Sequence, residues 1–286
     1  MGNLPELGVG MLIHNSKRYT DYLKEIGDVP KVFELVLAQY DEEPEELNRL
    51  KQTLNRPLLL HCAYFSMGTD APINPMLIQR IRDAARRCEA PWCSDHFCFT
   101  GIPGLNSGAL LPPILDDEAL DVFIKRVKES RKLVDTHLIL ENVVMHYNPI
   151  GSMSLSDFIN RVVDATGIGI LLSIENISQC NEAYYPLDHY KFIDSLPSEK
   201  IVEVHCTIGN QEQQRNMPSK LYGTFEQKQQ LHYDVLEYLA KVKKVRPKAL
   251  IWELETDTEA LPEVSNLVDR IHWAENLFFS KEVSLV

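Results

Sequence analysis

The sequence predicts an α/β fold, a (β/α)8 TIM barrel with its site at the C-terminal ends of the strands. Three observations lead there. Short apolar runs alternate with helix-like stretches about eight times along 286 residues, the order of a parallel sheet with crossover helices. Several runs are apolar at every position, as a strand buried on both faces requires. No linker rich in Pro, Gly or Ser divides the chain, and about 250 residues suit one barrel. Residues 1–286 are therefore expected to form a single domain.

Leu7–Ile13 reads as the first strand and Lys17–Ile26 as an amphipathic helix. Lys31–Leu37 is the second strand, with Glu34 inside it, followed by a charged helix over Glu43–Thr53. Pro57–His61 is the third strand and Met76–Cys88 its helix. Ala90–His96 is the fourth strand. Phe97–Pro113, rich in Gly and Pro, reads as a long loop, the kind that is usually functional. Asp116–Val134 is a helix with acids early and bases late, the order the helix dipole favours.

Thr136–Glu141 is the fifth strand, and Ser154 is placed to cap a helix over Leu155–Ala165. Gly167–Ile174 is the sixth strand, Leu187–Leu196 a short helix and Lys200–His205 the seventh strand. Gly209–Tyr222 is a polar loop. Phe225–Lys243 is a helix, Ala249–Glu253 the eighth strand and Leu261–Phe279 the closing helix.

Composition narrows the partners. The net charge of -12 argues against nucleic acid, which is gripped mainly through a basic face. The same acidity suits a pocket for cations. The six cysteines form no C-x-x-C motif and read as reduced, buried thiols. No segment resembles a signal peptide or a membrane span of roughly 20 apolar residues. A cytoplasmic protein without membrane contact is expected.

Six strands in succession, the third to the eighth, end in or beside His61, His96, Glu141, Glu175, His205 and Glu253. In a barrel these positions converge on one mouth. Taken singly, a strand-end histidine is most often a hydrogen-bonded core residue, and a glutamate is most often solvated or ion-paired. Six together are hard to explain that way. Carboxylates crowded without a cation would repel and raise one another's pKa, so metal is expected. Imidazole and carboxylate suit Zn, Mn or Fe. One ion would take His61, His96 and Glu141. A second would take Glu141, Glu175, His205 and Glu253, with Glu141 as the bridge and catalytic centre. Two such ions can clamp a substrate and activate water or dioxygen.

His146, in the loop after the fifth strand, is expected to face substrate. Asp95, Asn142, Asn176 and Glu255 are placed to orient ligands by hydrogen bonds. His14 and Glu34 carry no metal role in this reading. His137, His189, His232 and His272 read as helix-surface or strand-start residues. The loops 97–113 and 207–222 are candidate lids.

These motifs resemble the multinuclear non-haem iron-dependent oxidative enzymes, barrel proteins that modify peptides. Gly8-Val-Gly10 is similar to the family's opening, Leu58–His61 to its first histidine strand and Ser94-Asp-His96 to its Ser-Glu-His. Leu140-Glu-Asn142 matches its Leu-Glu-Asn, and Leu172–Asn176 stands at its Leu-Asp-Val-Asn-Asn. Val202–His205 is similar to its Glu-Ile-His, and Trp252–Glu255 to its Ile-Glu-Trp-Asp.

The chain departs from the pattern in three places. Glu175 replaces the usual Asn, Gly209-Asn-Gln211 stands where a further His is expected, and no Asp-x-His precedes Phe225. The missing residues are associated with a third metal. The resemblance therefore implies two iron ions, with Zn or Mn as alternatives. It implies an oxygenase or oxidase that uses dioxygen on a peptide residue or a small amino-acid-derived substrate, with a peptide-recognition protein as a candidate partner. The alternative on the same barrel is a redox-neutral Zn- or Mn-dependent hydrolase, isomerase or epimerase. A third reading is a non-catalytic barrel that binds a partner.

Overall fold

Eight parallel strands close into a barrel in the computed structural model, which describes residues 4–40, 43–180, 185, 187–208, 225–254 and 261–280. In chain order the first elements are β1 (Gly8–Ile13), α1 (Lys17–Ile26), β2 (Phe33–Val36), α2 (Glu45–Leu54), β3 (Leu58–His61) and α3 (Pro75–Cys88). Then come β4 (Trp92–His96), β5 (Phe99–Ile102), β6 (Leu105–Leu111), α4 (Asp117–Leu133), β7 (His137–Glu141) and α5 (Leu155–Thr166). The rest are β8 (Gly169–Ser173), α6 (Ile174–Cys180), α7 (His189–Ser195), β9 (Ile201–Ile208), α8 (Phe225–Glu237), β10 (Ala249–Leu254) and α9 (Val264–Phe278). The barrel runs β1-β10-β9-β8-β7-β4-β3-β2 and back to β1.

Two apolar layers follow from the alternation of side chains along each strand. Leu12, Leu59, Trp92, Ile139, Leu171, Ala249 and Ile251 form one buried cluster, which fills the lumen. Their neighbours in sequence, Leu58, Leu60, Cys93, Leu138, Leu140, Leu250 and Trp252, belong to the larger cluster between the strands and the helices. Truncating one of these leucines to alanine costs about 2–5 kcal/mol. Gly10 is required where β1 meets β2, because a Cβ there would lie 1.8 Å from the carbonyl oxygen of Val32.

Helix starts are fixed by side-chain caps. Asn74 accepts from Met76 N, Asp116 from Ala119 N and Asp188 from Lys191 N. Ser154 caps α5 as its position predicts, accepting from Asp157 N at 3.1 Å.

Two expectations need correction, and one expected helix changes character along its length. The stretch 97–113 is not a plain loop, because β5 and β6 pair within it as an antiparallel hairpin. Pro103 and Gly104 make its turn, with Gly104 at φ 83°, a conformation that glycine adopts without cost. The sixth strand stops at Ser173, and α6 begins on the next residue, so Glu175 lies in a first helical turn. The helix after the polar loop is α-helical only to Glu237 and passes into a π turn over Tyr238–Val242.

The polar loop 209–222, Glu255 and most of the candidate lid 207–222 lie outside the described residues. Among the described residues, no helix is long and apolar enough to cross a membrane. All six cysteines are buried and none is in a disulfide.

Candidate metal centre

The parallel register carries the strand ends to one level. His96 pairs with Glu141 across β4 and β7, His61 with Ser94 across β3 and β4, and Ser173 with His205 across β8 and β9. All these side chains alternate inward. His61 Nε2 lies 3.5 Å from Glu141 Oε2, and His96 Nε2 lies 3.1 Å from the same oxygen. The two imidazoles meet edge to face with centroids 4.7 Å apart. One donor atom from each of His61, His96 and Glu141 falls within 4.8 Å of the others, a grouping that could hold one cation.

The other nitrogen of each imidazole is spoken for. His96 Nδ1 is 3.0 Å from the Cys62 carbonyl oxygen, which can only accept, so Nδ1 carries a hydrogen and Nε2 is the nitrogen that can offer a lone pair to a cation once its own proton leaves. His61 Nδ1 lies 2.7 Å from Ser94 Oγ. Asn176 Nδ2 donates to Glu141 Oε1 at 2.9 Å and to the Asn142 carbonyl at 2.8 Å, leaving Oε2 to face the histidines. The Asn142 amide clamps the backbone of Ser173, accepting from its N at 2.9 Å and donating to its O at 3.0 Å. Asp95, fully buried, accepts from the backbone N of Tyr64, Phe65 and His96. Of the residues expected to orient ligands, Asn176 bonds the Glu141 side chain, whereas Asn142 and Asp95 act on the backbone around it.

Electrostatics follow from crowding in a dry place. Burial and the neighbouring His96 push His61 down to about 3. Burial also opposes a charge on His96, but Glu141 and Asp95 outweigh it and raise the imidazole to about 10. Burial would lift Glu141, yet His96, then His61 and His205, bring it down to about 2.

His205 stands deeper and is sealed from solvent. Its ring centroid is 5.5 Å from that of His61. Glu253 Oε1 lies 3.4 Å from Nδ1, while Glu34 Oε2 and Glu203 Oε1 lie 2.8 and 3.6 Å from Nε2. Neither ring nitrogen makes a hydrogen bond of regular geometry, and Glu34 Oε2 and Glu203 Oε1 are likewise unsatisfied. Buried polar atoms in this state are rare. Burial disfavours the imidazolium, but Glu34 and Glu253 outweigh it and hold His205 well above its ordinary pKa. Burial, then repulsion from Glu203, raises Glu34 to about 7. Glu34, Glu203 and His205 form a second grouping that could hold a cation.

Glu175 stands apart from both groupings. Its oxygens meet Lys228 Nζ at 2.8 Å and His232 Nε2 at 3.3 Å, both from α8. Burial would raise its pKa, but His232 and Lys228 overcome that and bring it to about 2. His189 and His232 are buried rather than on a helix surface, and His189 Nε2 lies 3.0 Å from Ser178 Oγ. His146 is exposed in the loop after β7.

The sequence reading gives Glu34 and His232 no part in the site and does not single out Glu203 or Lys228. For Glu34 and Glu203 a signal existed: each is a lone carboxylate inside a strand, Glu203 two residues before His205 and on the same face. Nothing local marks Lys228 or His232, since only the packing of α8 on α6 brings them to Glu175.

Fold and cluster together define the class, a closed parallel barrel with groups at its strand ends that could hold a metal ion. The chain belongs to the RiPP precursor modification enzyme MbnB/TglH/ChrH family, whose model matches residues 8–278. A UPF0276 protein of Rhizorhabdus wittichii is 25% identical over 271 residues, 91% of each chain. One of Psychromonas ingrahamii is 23% identical over 277 residues, 95% of this chain and 93% of its own. By fold alone the chain is similar to D-psicose 3-epimerase, with TM-score 0.62, 9% identity and coverage of 96% and 100%. It is also similar to endonuclease IV of Thermus thermophilus, with TM-score 0.54, 11% identity and coverage of 94% and 99%.

Proposed function

We propose that this chain is a dinuclear non-haem iron oxygenase or oxidase that modifies a residue of a ribosomally made peptide or a small amino-acid-derived substrate. The observation that carries the reading is the convergence of His61 Nε2, His96 Nε2 and Glu141 Oε2. The family's peptide-modifying description supports the substrate class.

The residues fit a cation. Two imidazoles have their other nitrogens engaged, and one carboxylate oxygen faces both. His61, His96 and Glu141 would hold the first ion. His205 and Glu253 would hold the second, with Glu141 between. Glu175 would join only by leaving Lys228. Two further buried carboxylates, Glu34 and Glu203, add negative charge below the mouth, which suits a pair of divalent cations.

The iron ions, when bound, supply the redox chemistry with dioxygen and anchor the substrate. The protein's part is orientation and shielding. Asn176 turns Glu141, Asn142 ties β7 to β8, and Asp95 gathers the backbone of residues 64 and 65 beside His96. His146, exposed beside the mouth, is the group we assign to meet the substrate. A peptide-recognition partner protein would deliver a precursor peptide. We read residues 1–286 as one domain, and six thiols outside disulfides as suited to the reducing cytoplasm.

The test is reconstitution with Fe(II) under nitrogen, then dioxygen and a candidate precursor peptide. A mass change in the peptide that needs both iron and dioxygen is expected. Turnover with Zn(II) under nitrogen would replace this reading with the redox-neutral one.

A further inference from the structure

The geometry points to Glu34 as the positioning residue that fixes the metal-facing nitrogen of two ligands at once, His205 directly and His61 through Ser94. This rests on the reading that those histidines take cations.

The two sides of His205 differ. Nδ1 faces Glu253, whose side chain is 28% exposed, so this side opens toward the mouth. Nε2 faces Glu34 and Glu203, both fully sealed. Nδ1 is therefore the nitrogen that would meet an ion entering from the mouth. The remaining hydrogen is then on Nε2, and a small turn of the ring would direct it to the nearest acceptor, Glu34 Oε2 at 2.8 Å, ahead of Glu203 Oε1 at 3.6 Å. Glu203 is partly committed elsewhere, since its Oε2 accepts from Trp92 Nε1 at 2.8 Å across the lumen.

The second oxygen of Glu34 serves the other histidine. Ser94 Oγ lies 3.2 Å from Glu34 Oε1 and 3.3 Å from the Leu60 carbonyl. The carboxylate is the stronger acceptor of the two. With its hydrogen directed to Glu34, the hydroxyl accepts from His61 Nδ1 at 2.7 Å. That sets His61 in the tautomer whose Nε2 faces Glu141. A buried carboxylate behind a metal-bound imidazole fixes ring orientation and strengthens the ligand. Here one carboxylate stands behind two.

The test uses Zn(II) as the probe, competed against a chelating dye, on the full chain and on Glu34→Gln and Ser94→Ala. Glu34→Gln is expected to weaken both ions about 10–100-fold, with the number bound at saturation unchanged. Ser94→Ala is expected to weaken only the ion on His61. Nitrogen NMR of the Zn(II)-loaded, histidine-labelled chain is expected to find His205 bound through Nδ1 and His61 through Nε2.

The inference is overturned if His205 binds through Nε2, or if both variants hold Zn(II) as tightly as the parent. It is overturned too if Glu34→Gln saturates with one ion fewer, which would make Glu34 a ligand. Should Glu34→Gln fail to fold, the NMR of the parent chain and the titration of Ser94→Ala decide. A parent chain that takes up no Zn(II) overturns the metal reading itself, and this inference with it.

Discussion

Two buried glutamates near the barrel mouth, Glu141 and Glu175, have opposite surroundings. Glu141 turns one oxygen toward two imidazoles whose far nitrogens are held from behind. Glu175 sits against an ammonium and a buried imidazole. Both carboxylates are drawn down to about 2, yet Glu141 has two imidazoles for company, whereas Glu175 has one imidazole and an ammonium. An imidazole offers a lone pair once its proton leaves. Lysine is an ammonium at neutral pH and offers none. A buried carboxylate near the mouth is thus suited to a cation where imidazoles, rather than an ammonium, surround it.

Glu141→Ala should have the largest effect, because it strips the carboxylate from the best-formed grouping. Binding at that site should weaken beyond the roughly 10–100-fold typical of losing an orienting residue, as read by metal titration. Lys228→Met should act on stability instead. It leaves a buried carboxylate without its ammonium, a change that costs about 3–5 kcal/mol, measurable by denaturant unfolding of the metal-free chain. The number of ions bound should not change. A gain of one ion would mean that Lys228 merely holds Glu175 back from a cation.

Asn176→Ala sharpens the contrast from the other side. It removes the donor to Glu141 Oε1, so metal should bind about 10–100-fold more weakly while the count at saturation stays the same. His146→Ala should leave metal binding unaffected and change turnover of the peptide, as steady-state kinetics would read. The smallest effect is expected at the surface. Asp135→Asn removes an exposed partner of Arg82 and Arg86, and thermal unfolding should shift by less than about 1 kcal/mol.

The sequence carried the barrel plainly, because continuous apolar runs and crossover helices recur at a regular period. His61, His96 and Glu141 were legible for the same reason: each ends such a run and register does the rest. Glu175 looked equivalent, but α6 starts immediately after Ser173 and turns the residue toward α8. No local pattern announces a seven-residue helix at a strand end. The hairpin over 99–111 was hidden by glycines and a proline that also occur in loops, although Pro103-Gly104 between apolar residues is itself a turn signal. Glu34 has no metal role in the sequence reading because a glutamate taken singly is most often solvated or ion-paired. Its meaning emerges only when closure of the barrel turns it inward.

The number of metal ions that the strand-end cluster would hold is the most direct measure of the proposed centre. Elemental analysis of chain purified under nitrogen, in parallel with Glu141→Ala, measures it. Two ions per chain in the parent, with loss in Glu141→Ala, is the predicted result. A parent chain without metal, or a variant with an undiminished count, would contradict it.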